Sequence, residues 1–239
     1  MMDLCSKIKA LEGPILIIGA SGFVGANLLR ACLTCREDVV GTFFFGDSWR
    51  LADIATGNLS YLNLQDPVSV ASVLQKVEPK TIFDCSSFGA YSFEQDYERI
   101  HSTNYLSFIR LMEAIANLEV SAYVHAGSSS EYGLNAAGPA EEDELVCNSH
   151  YAVSKAATSQ AIAYYGRVRG LPVVNLRLYS VYGPYEDSSR LIPALCERSL
   201  HGKLPTFARK EVTRDFIHVD DVCAAFIDSA LRMGKPIAG

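Results

Sequence analysis

The chain has 239 residues, 49% of them hydrophobic and 20% charged. That is enough to bury one large core, and it excludes the disordered, low-complexity and collagen-like classes. Lys and Arg number 21 against 27 Asp and Glu, a formal charge of −6, which is the wrong sign for a nucleic-acid coat protein.

No apolar run reaches the ~18 residues of a membrane helix. The opening MMDLCSKIKALEGP has no apolar stretch of the secretory kind. The expectation is a soluble, cytoplasmic protein with no membrane and no nucleic-acid partner. Residues 15–18 (ILII) predict a short buried strand ending in glycine, and a helix follows over 22–35 with Val24, Leu28, Ala31, Cys32 and Cys35 on one face. Strands are predicted over 39–45 and 61–64. Asp66 then caps a helix opened by Pro67 and running to Val77. A strand over 81–85, a long helix over 97–117, a strand over 120–126, a helix over 151–169 and a strand over 172–178 complete the alternation. Strand–helix alternation of this kind predicts an α/β, doubly wound parallel sheet.

The cysteines are Cys5, Cys32, Cys35, Cys85, Cys147, Cys196 and Cys223. Their odd number and irregular spacing predict reduced thiols. Cys32 and Cys35 form a C-x-x-C, but no second pair follows to complete a zinc site, so no metal is expected.

Two local patterns carry chemistry. In ILIIGASGFVG, Gly19 permits a tight turn out of the strand. Gly22 lets the backbone approach a pyrophosphate, and Gly25 lets the helix pack closely on the sheet. The free N–H groups and positive dipole of the helix start then face the phosphates. An acid about 20 residues on would hold the adenosine ribose. It is missing, since Thr42, Phe43, Phe44 and Phe45 stand there and Asp47 comes only beyond. NAD and NADP both remain open, and Arg50 is a nearby cation that could meet a 2′-phosphate.

The second pattern is YAVSK, which places Tyr151 and Lys155 a turn apart on one helix face. A tyrosine ordinarily titrates near ~10 and is a poor base at neutral pH; a neighbouring ammonium favours the phenolate. Ser128, Ser129 and Ser130 follow the fifth strand at its carboxyl end, the edge at which parallel sheets bind ligands. Serine, tyrosine and lysine together suit proton exchange with a carbinol.

From about Ile15 to Met233 the chain resembles the extended short-chain dehydrogenase/reductase superfamily, in its NAD(P)-dependent nucleotide-sugar epimerase/dehydratase branch. The resemblance rests on GASGFVG (19–25), NLQD (63–66), Asn104 with LMEA (111–114), SSSEYG (128–133), YAVSK (151–155), LRLYSVYGP (176–184) and RDFIHVDD (214–221). It implies a Rossmann fold over 1–178 and a small substrate-binding segment over 179–239, interleaved with the last Rossmann elements and cut short at Gly239. It also implies that Tyr151 takes the proton of a sugar hydroxyl, that Ser129 hydrogen-bonds that oxygen and that Lys155 also holds the nicotinamide ribose. Phe23 and Val24 would cover the pyrophosphate, Asn63 and Leu64 flank the adenine, and Ser86 and Ser87 line the cofactor cleft. Asn104 would belong to the cofactor site. Arg214, aided by Arg209 and Lys210, would meet a substrate diphosphate. Glu131 is a base for dehydration by the resemblance, or a carboxylate capping a turn. A homodimer is implied, with Ala157, Ala161 and Tyr165 on the 151–169 helix as candidate outward residues or, equally, as ordinary packing against the sheet.

Three departures bear on these roles. SSSEYG is one residue shorter than the usual S-[ST]-x-E-V-Y-G, so counting back from Tyr132 would make Ser128 the catalytic serine. NLQD lacks the Asp usual at its first position. Ser180 stands where many members have Asn. The leading expectation is an enzyme that oxidises a nucleotide-diphosphate sugar transiently and then epimerises or dehydrates it, recycling NAD or NADP. Alternatives are an NADPH-consuming reductase of a keto-sugar or other carbonyl, and a cofactor-binding regulatory module without chemistry.

Overall fold

The computed structural model describes residues 2–44, 48–91, 93–202 and 214–233. Six strands form one parallel sheet in the order β3-β2-β1-β4-β5-β6. They are β1 (Ile15–Ile18), β2 (Val39–Phe43), β3 (Leu59–Tyr61), β4 (Thr81–Asp84), β5 (Ala122–Ser128) and β6 (Val173–Leu178). This is the doubly wound Rossmann order, whose strand direction of travel reverses between β1 and β4 and opens a crevice at their carboxyl ends. The side-chain period of two sorts β1 onto both faces: Ile15 and Ile17 enter one core with Leu28, Phe83, Val124 and Phe226, while Leu16 and Ile18 enter the other with Val73, Leu111, Tyr123 and Ile162.

Helices α2 (Phe23–Leu33), α3 (Pro67–Val77), α4 (Tyr97–His101), α5 (Ser107–Ile115) and α6 (His150–Arg167) cover the faces, with a short α1 (Leu4–Lys9) before β1. The expected 97–117 helix is α4 and α5 joined by a π-turn at Ser102–Leu106. Asp66 caps α3 as read, accepting from the Val68 N–H. Beyond β6 lie β7 (Ser180–Tyr182), α7 (Leu191–Leu200), β8 (Phe216–His218) and α8 (Val219–Met233), with β7 and β8 paired in a separate parallel ribbon. The 179–239 segment thus contains an element of the main core. On α8, Val219, Val222, Cys223, Phe226, Ile227 and Ala230 are buried, a stripe at helical spacing that packs with β1 and α2 residues.

Four expectations change. The third strand sits at 59–61, because Leu59 and Tyr61 pair with Gly41 and Phe43, and the chain then leaves the sheet in a turn where the Gln65 N–H donates to Asn63 Oδ1. The second strand ends at Phe43; Phe45 and Asp47 lie outside the described residues. Not all cysteines are free: Cys5 on α1 and Cys35 just past α2 form a disulfide, with Cα atoms 5.6 Å apart, a pairing across 30 residues that spacing did not reveal. Cys32 is instead a core residue whose thiol burial pushes up to about 12. Tyr165 faces inward, its ring edge-on to Phe108 and its hydroxyl donating to Glu113, because the 3.6-residue period turns it toward the sheet. His150, Val153, Gln160, Tyr164 and Arg167 are the exposed positions on α6.

Candidate active site

The β1–α2 turn is shaped by missing side chains. Gly19 has φ +76°, and a Cβ there would stand 2.8 Å from the Ser86 backbone nitrogen. A Cβ on Gly25 would stand 2.3 Å from the Gly19 carbonyl oxygen, so only glycine lets α2 lie this close to the turn. Gly22 is the N-cap of α2 and offers no side-chain cap, which leaves the first helical N–H groups available to an anion.

A cleft of about 260 Å³ opens here at the carboxyl edge of the strands, lined by Gly19, Gly22, Phe43, Phe44, Asn63, Leu64, Ser86 and Ser87 among others. The glycine cradle and the free helix start match the shape of a dinucleotide pyrophosphate. Phe23 and Val24 occupy the first turn of α2, half-buried against the main core, and are not among the cleft-lining residues. Arg50 is engaged elsewhere: its Nε donates to the Tyr185 carbonyl and its guanidinium stacks 4.6 Å over Trp49.

On the other side of the crevice, α6 carries Tyr151 and Lys155. Ser149 caps the helix by accepting from the Ala152 N–H. Lys155 is 1% exposed. Its Nζ donates to the Ala126 carbonyl at 2.8 Å and lies 3.3 Å from His125 Nε2. His125 Nδ1 lies 3.1 Å from Asp84 Oδ2, which also accepts from the Tyr123 hydroxyl at 2.6 Å. The other Asp84 oxygen accepts from the Ser86 hydroxyl and N–H. Burial alone would raise the Asp84 carboxyl, but the His125 contact and the Ser86 and Tyr123 hydrogen bonds outweigh it and hold it well below the usual carboxylate range. Burial, then the Lys155 charge, push His125 down, with Asp84 opposing.

Tyr151 is half-buried, beside Gly89, where a Cβ would come 3.5 Å from its ring. Gly89 belongs to the loop whose Ser86, Ser87 and Phe88 wall the cleft. The Tyr151 hydroxyl has no hydrogen-bond partner among the described residues.

Asn104 lies outside the cleft lining. It is 3% exposed, and its amide is consumed by the Phe88 N–H, the Phe88 carbonyl and the Ser154 hydroxyl, so it pins the cleft wall to α6. This corrects its expected place against the cofactor: the π-turn aims the amide at protein backbone.

The serine segment resolves similarly. β5 ends at Ser128, whose Oγ accepts from the Ser130 N–H. The Glu131 carboxylate accepts from the Ser128 N–H at 2.9 Å, completing a capping box around the Ser129–Tyr132 turn. Glu131 is fully buried and also accepts from Arg177 Nε at 2.7 Å and Asn175 Nδ2 at 3.3 Å. Of its two sequence readings, the turn-capping carboxylate describes its place; no oxygen is left facing a substrate. The Ser129 hydroxyl, by contrast, makes no hydrogen bond among the described residues. Arg214 is exposed two residues before β8, while Arg209 and Lys210 lie outside the described residues.

Sequence reasoning missed Asp84, His125, Asn175 and Arg177. Their signal was an ionisable or amide side chain inside an otherwise apolar strand run, a costly placement unless partnered.

The sequence profile of the NAD dependent epimerase/dehydratase family matches residues 15–235. The chain belongs to that family. Among its curated relatives is a dTDP-glucose 4,6-dehydratase of Xanthomonas campestris, 27% identical over 240 residues, covering 92% of this chain and 68% of the relative. Similar solved structures include an epimerase of Methanothermobacter thermautotrophicus (TM-score 0.83, 22% identity, 96% of this chain and 71% of that one). A UDP-N-acetylglucosamine 4-epimerase of Methanobrevibacter ruminantium has TM-score 0.80 and 24% identity over 90% of this chain and 72% of that one. At these identities the structural likenesses bear on the fold. Among the described residues no helix is long and apolar enough to cross a membrane.

Proposed function

We propose that this family member inverts a carbinol centre of a nucleotide-diphosphate sugar through transient oxidation. The observation that carries the reading is the pairing of a Tyr151 hydroxyl that has no partner among the described residues with a buried, firmly held Lys155 beside the wall of the glycine-turn cleft. The cleft would hold NAD through Gly19, Gly22, Gly25, Asn63, Leu64, Ser86 and Ser87. When bound, NAD supplies the acceptor, and later the donor, of the carbinol hydride. Tyr151 takes the hydroxyl proton, Ser129 orients the oxygen and Lys155 supplies positive charge beneath both. Arg214 meets the diphosphate. The engaged Arg50 favours NAD over NADP.

Two reaction types fit the family, and Glu131 separates them. Dehydration of the keto intermediate needs an additional acid–base group. The one acid of the SSSEYG segment is sealed in a buried ion pair, whereas inversion needs no such group. Exposed Tyr97, Leu106, Val153 and Tyr164 on α4, the π-turn and α6 support a homodimer through that face.

The test is a panel of UDP-, dTDP-, GDP- and CDP-sugars with product mass and retention time recorded. Inversion gives a product of unchanged mass and new retention time with no net NADH. Loss of one water would shift the assignment to dehydration, and net cofactor consumption to a reductase. Tyr151→Phe should lower turnover by about 10³-fold while leaving NAD affinity intact; retained turnover would remove Tyr151 from the chemistry.

A further inference from the structure

Asp84 and His125 are direct register partners on β4 and β5 and are both buried in the middle of the sheet. Ionisable groups in this position are costly unless each is satisfied. We propose that this pair is a positioning device for Lys155, presenting an acceptor that fixes the ammonium and thereby sets the lower pH limit of turnover. The proposal rests on the roles assigned above to Tyr151 and Lys155.

The hydrogen-bond inventory dictates the proton positions. An ammonium has three donors and no acceptor. The 3.3 Å contact from Lys155 Nζ therefore requires a lone pair on His125 Nε2. The proton then sits on Nδ1, which donates to Asp84 Oδ2. Carboxylate, neutral imidazole and ammonium form a chain of zero net charge. Lys155 spends a second N–H on the Ala126 carbonyl, which leaves one N–H for the reacting side.

The groups facing His125 are few. Asp84 faces it from β4, Lys155 from α6 and the Phe108 ring from α5, while Asn175 is its register partner on β6 and Glu131 acts from the turn after β5. The two carboxylates favour a protonated imidazole; burial and Lys155 oppose it. Once His125 takes a second proton, Nε2 becomes a donor aimed at an ammonium, and Lys155 loses that acceptor, keeps the Ala126 carbonyl and is pushed from its place. No proton passes along the chain in turnover; it holds a geometry.

Nitrogen-15 NMR of the histidines in the intact protein tests the tautomer without any substrate. The His125 signal is assigned by its loss in His125→Gln. The expected result at neutral pH is a protonated Nδ1 and a bare Nε2; a protonated Nε2 overturns the proposal whatever the enzyme's substrate. The second arm uses His125→Leu, which removes the acceptor, and His125→Gln, which offers an amide oxygen in its place. In the Leu variant, which offers no acceptor at any pH, turnover should fall by about tenfold across the profile, and in the Gln variant, which keeps an acceptor but cannot take a proton, turnover should persist with its acidic limb moved down by about one pH unit. Identical limbs in all three proteins, each folded by circular dichroism and binding NAD, overturn the proposal as well. If no nucleotide sugar is turned over, the functional reading fails, and the tautomer measurement still decides this one.

Discussion

On the β1 side of the crevice, Gly19, Gly22 and Gly25 act through what they lack, since backbone comes close to backbone where any Cβ would intrude. On the β5 side, Asp84, His125, Lys155, Glu131 and Arg177 act through charge, five ionisable side chains locked in buried or half-buried contacts. The first flank should be sensitive to volume and indifferent to charge. The second should tolerate modest changes of shape and fail when one member of a pair is removed. The difference follows from what each flank must hold. A pyrophosphate is met by main-chain N–H groups, which need access, whereas a proton-exchanging phenol needs a cation held in place.

The largest break of this comparison comes from Arg177→Met. Glu131 is 0% and Arg177 19% exposed, so the variant strands a buried carboxylate with only the Ser128 N–H and the Asn175 amide. A loss of about 3 kcal/mol is expected in urea unfolding. Adding Glu131→Gln should restore part of it, because the uncompensated charge disappears. A single variant within about 0.5 kcal/mol of the parent would mean that charge does not hold this flank.

Gly25→Ala sharpens the other side. Its Cβ would meet the Gly19 oxygen at 2.3 Å and Ala20 Cα at 3.0 Å, both backbone, so α2 must move off the turn. About 1–3 kcal/mol of stability should be lost, together with most NAD affinity. Gly22→Ala, whose Cβ meets the Gly19 oxygen at 3.3 Å, should cost less. Equal effects in the two variants, measured by melting with and without NAD, would show that close packing is not the reason for the third glycine.

The volume-limited flank was legible in the sequence and the charge-limited one was not, for a physical reason. The glycine turn, the Asp66 cap and the Tyr151/Lys155 spacing are local: each is written in a few consecutive residues. The partners of the second flank are assembled by the sheet. Glu131 meets Arg177 across 46 positions, and His125 meets Asp84 across 41. Neither pairing exists until β4, β5 and β6 are in register. The same non-locality hid α8, which supplies Phe226 to the main core from the far end of the chain, its ring 5.9 Å from that of Phe83. It also turned Glu131 from a candidate base into a capping carboxylate. An Asp closing TIFD and a His within AYVHA were nonetheless visible as charges in runs that otherwise read as buried strand.

The finest test is the pH dependence of stability, to which, of the two flanks, the charged one should contribute. In the folded state His125 is pushed below its ordinary value by burial and by Lys155. As pH falls below ~6.5 the unfolded chain takes up a proton that the folded imidazole refuses. The unfolded state then binds more protons, so stability is complete above that pH and erodes below it, by up to ~1.4 kcal/mol per pH unit until the folded imidazole titrates. Asp84 adds a second stage with the same sign. Its carboxyl is depressed in the folded protein, so its contribution is present above ~3.9 and is lost as pH falls through the lower folded value. Urea midpoints taken from about pH 7.5 to 5 should therefore decline, and His125→Gln should flatten that decline. Gly25→Ala should lower every midpoint and keep the slope. If the glycine variant changes the slope and the histidine variant does not, the division of labour between the two flanks is wrong, because the acid-sensitive protons would then lie on the side built from backbone.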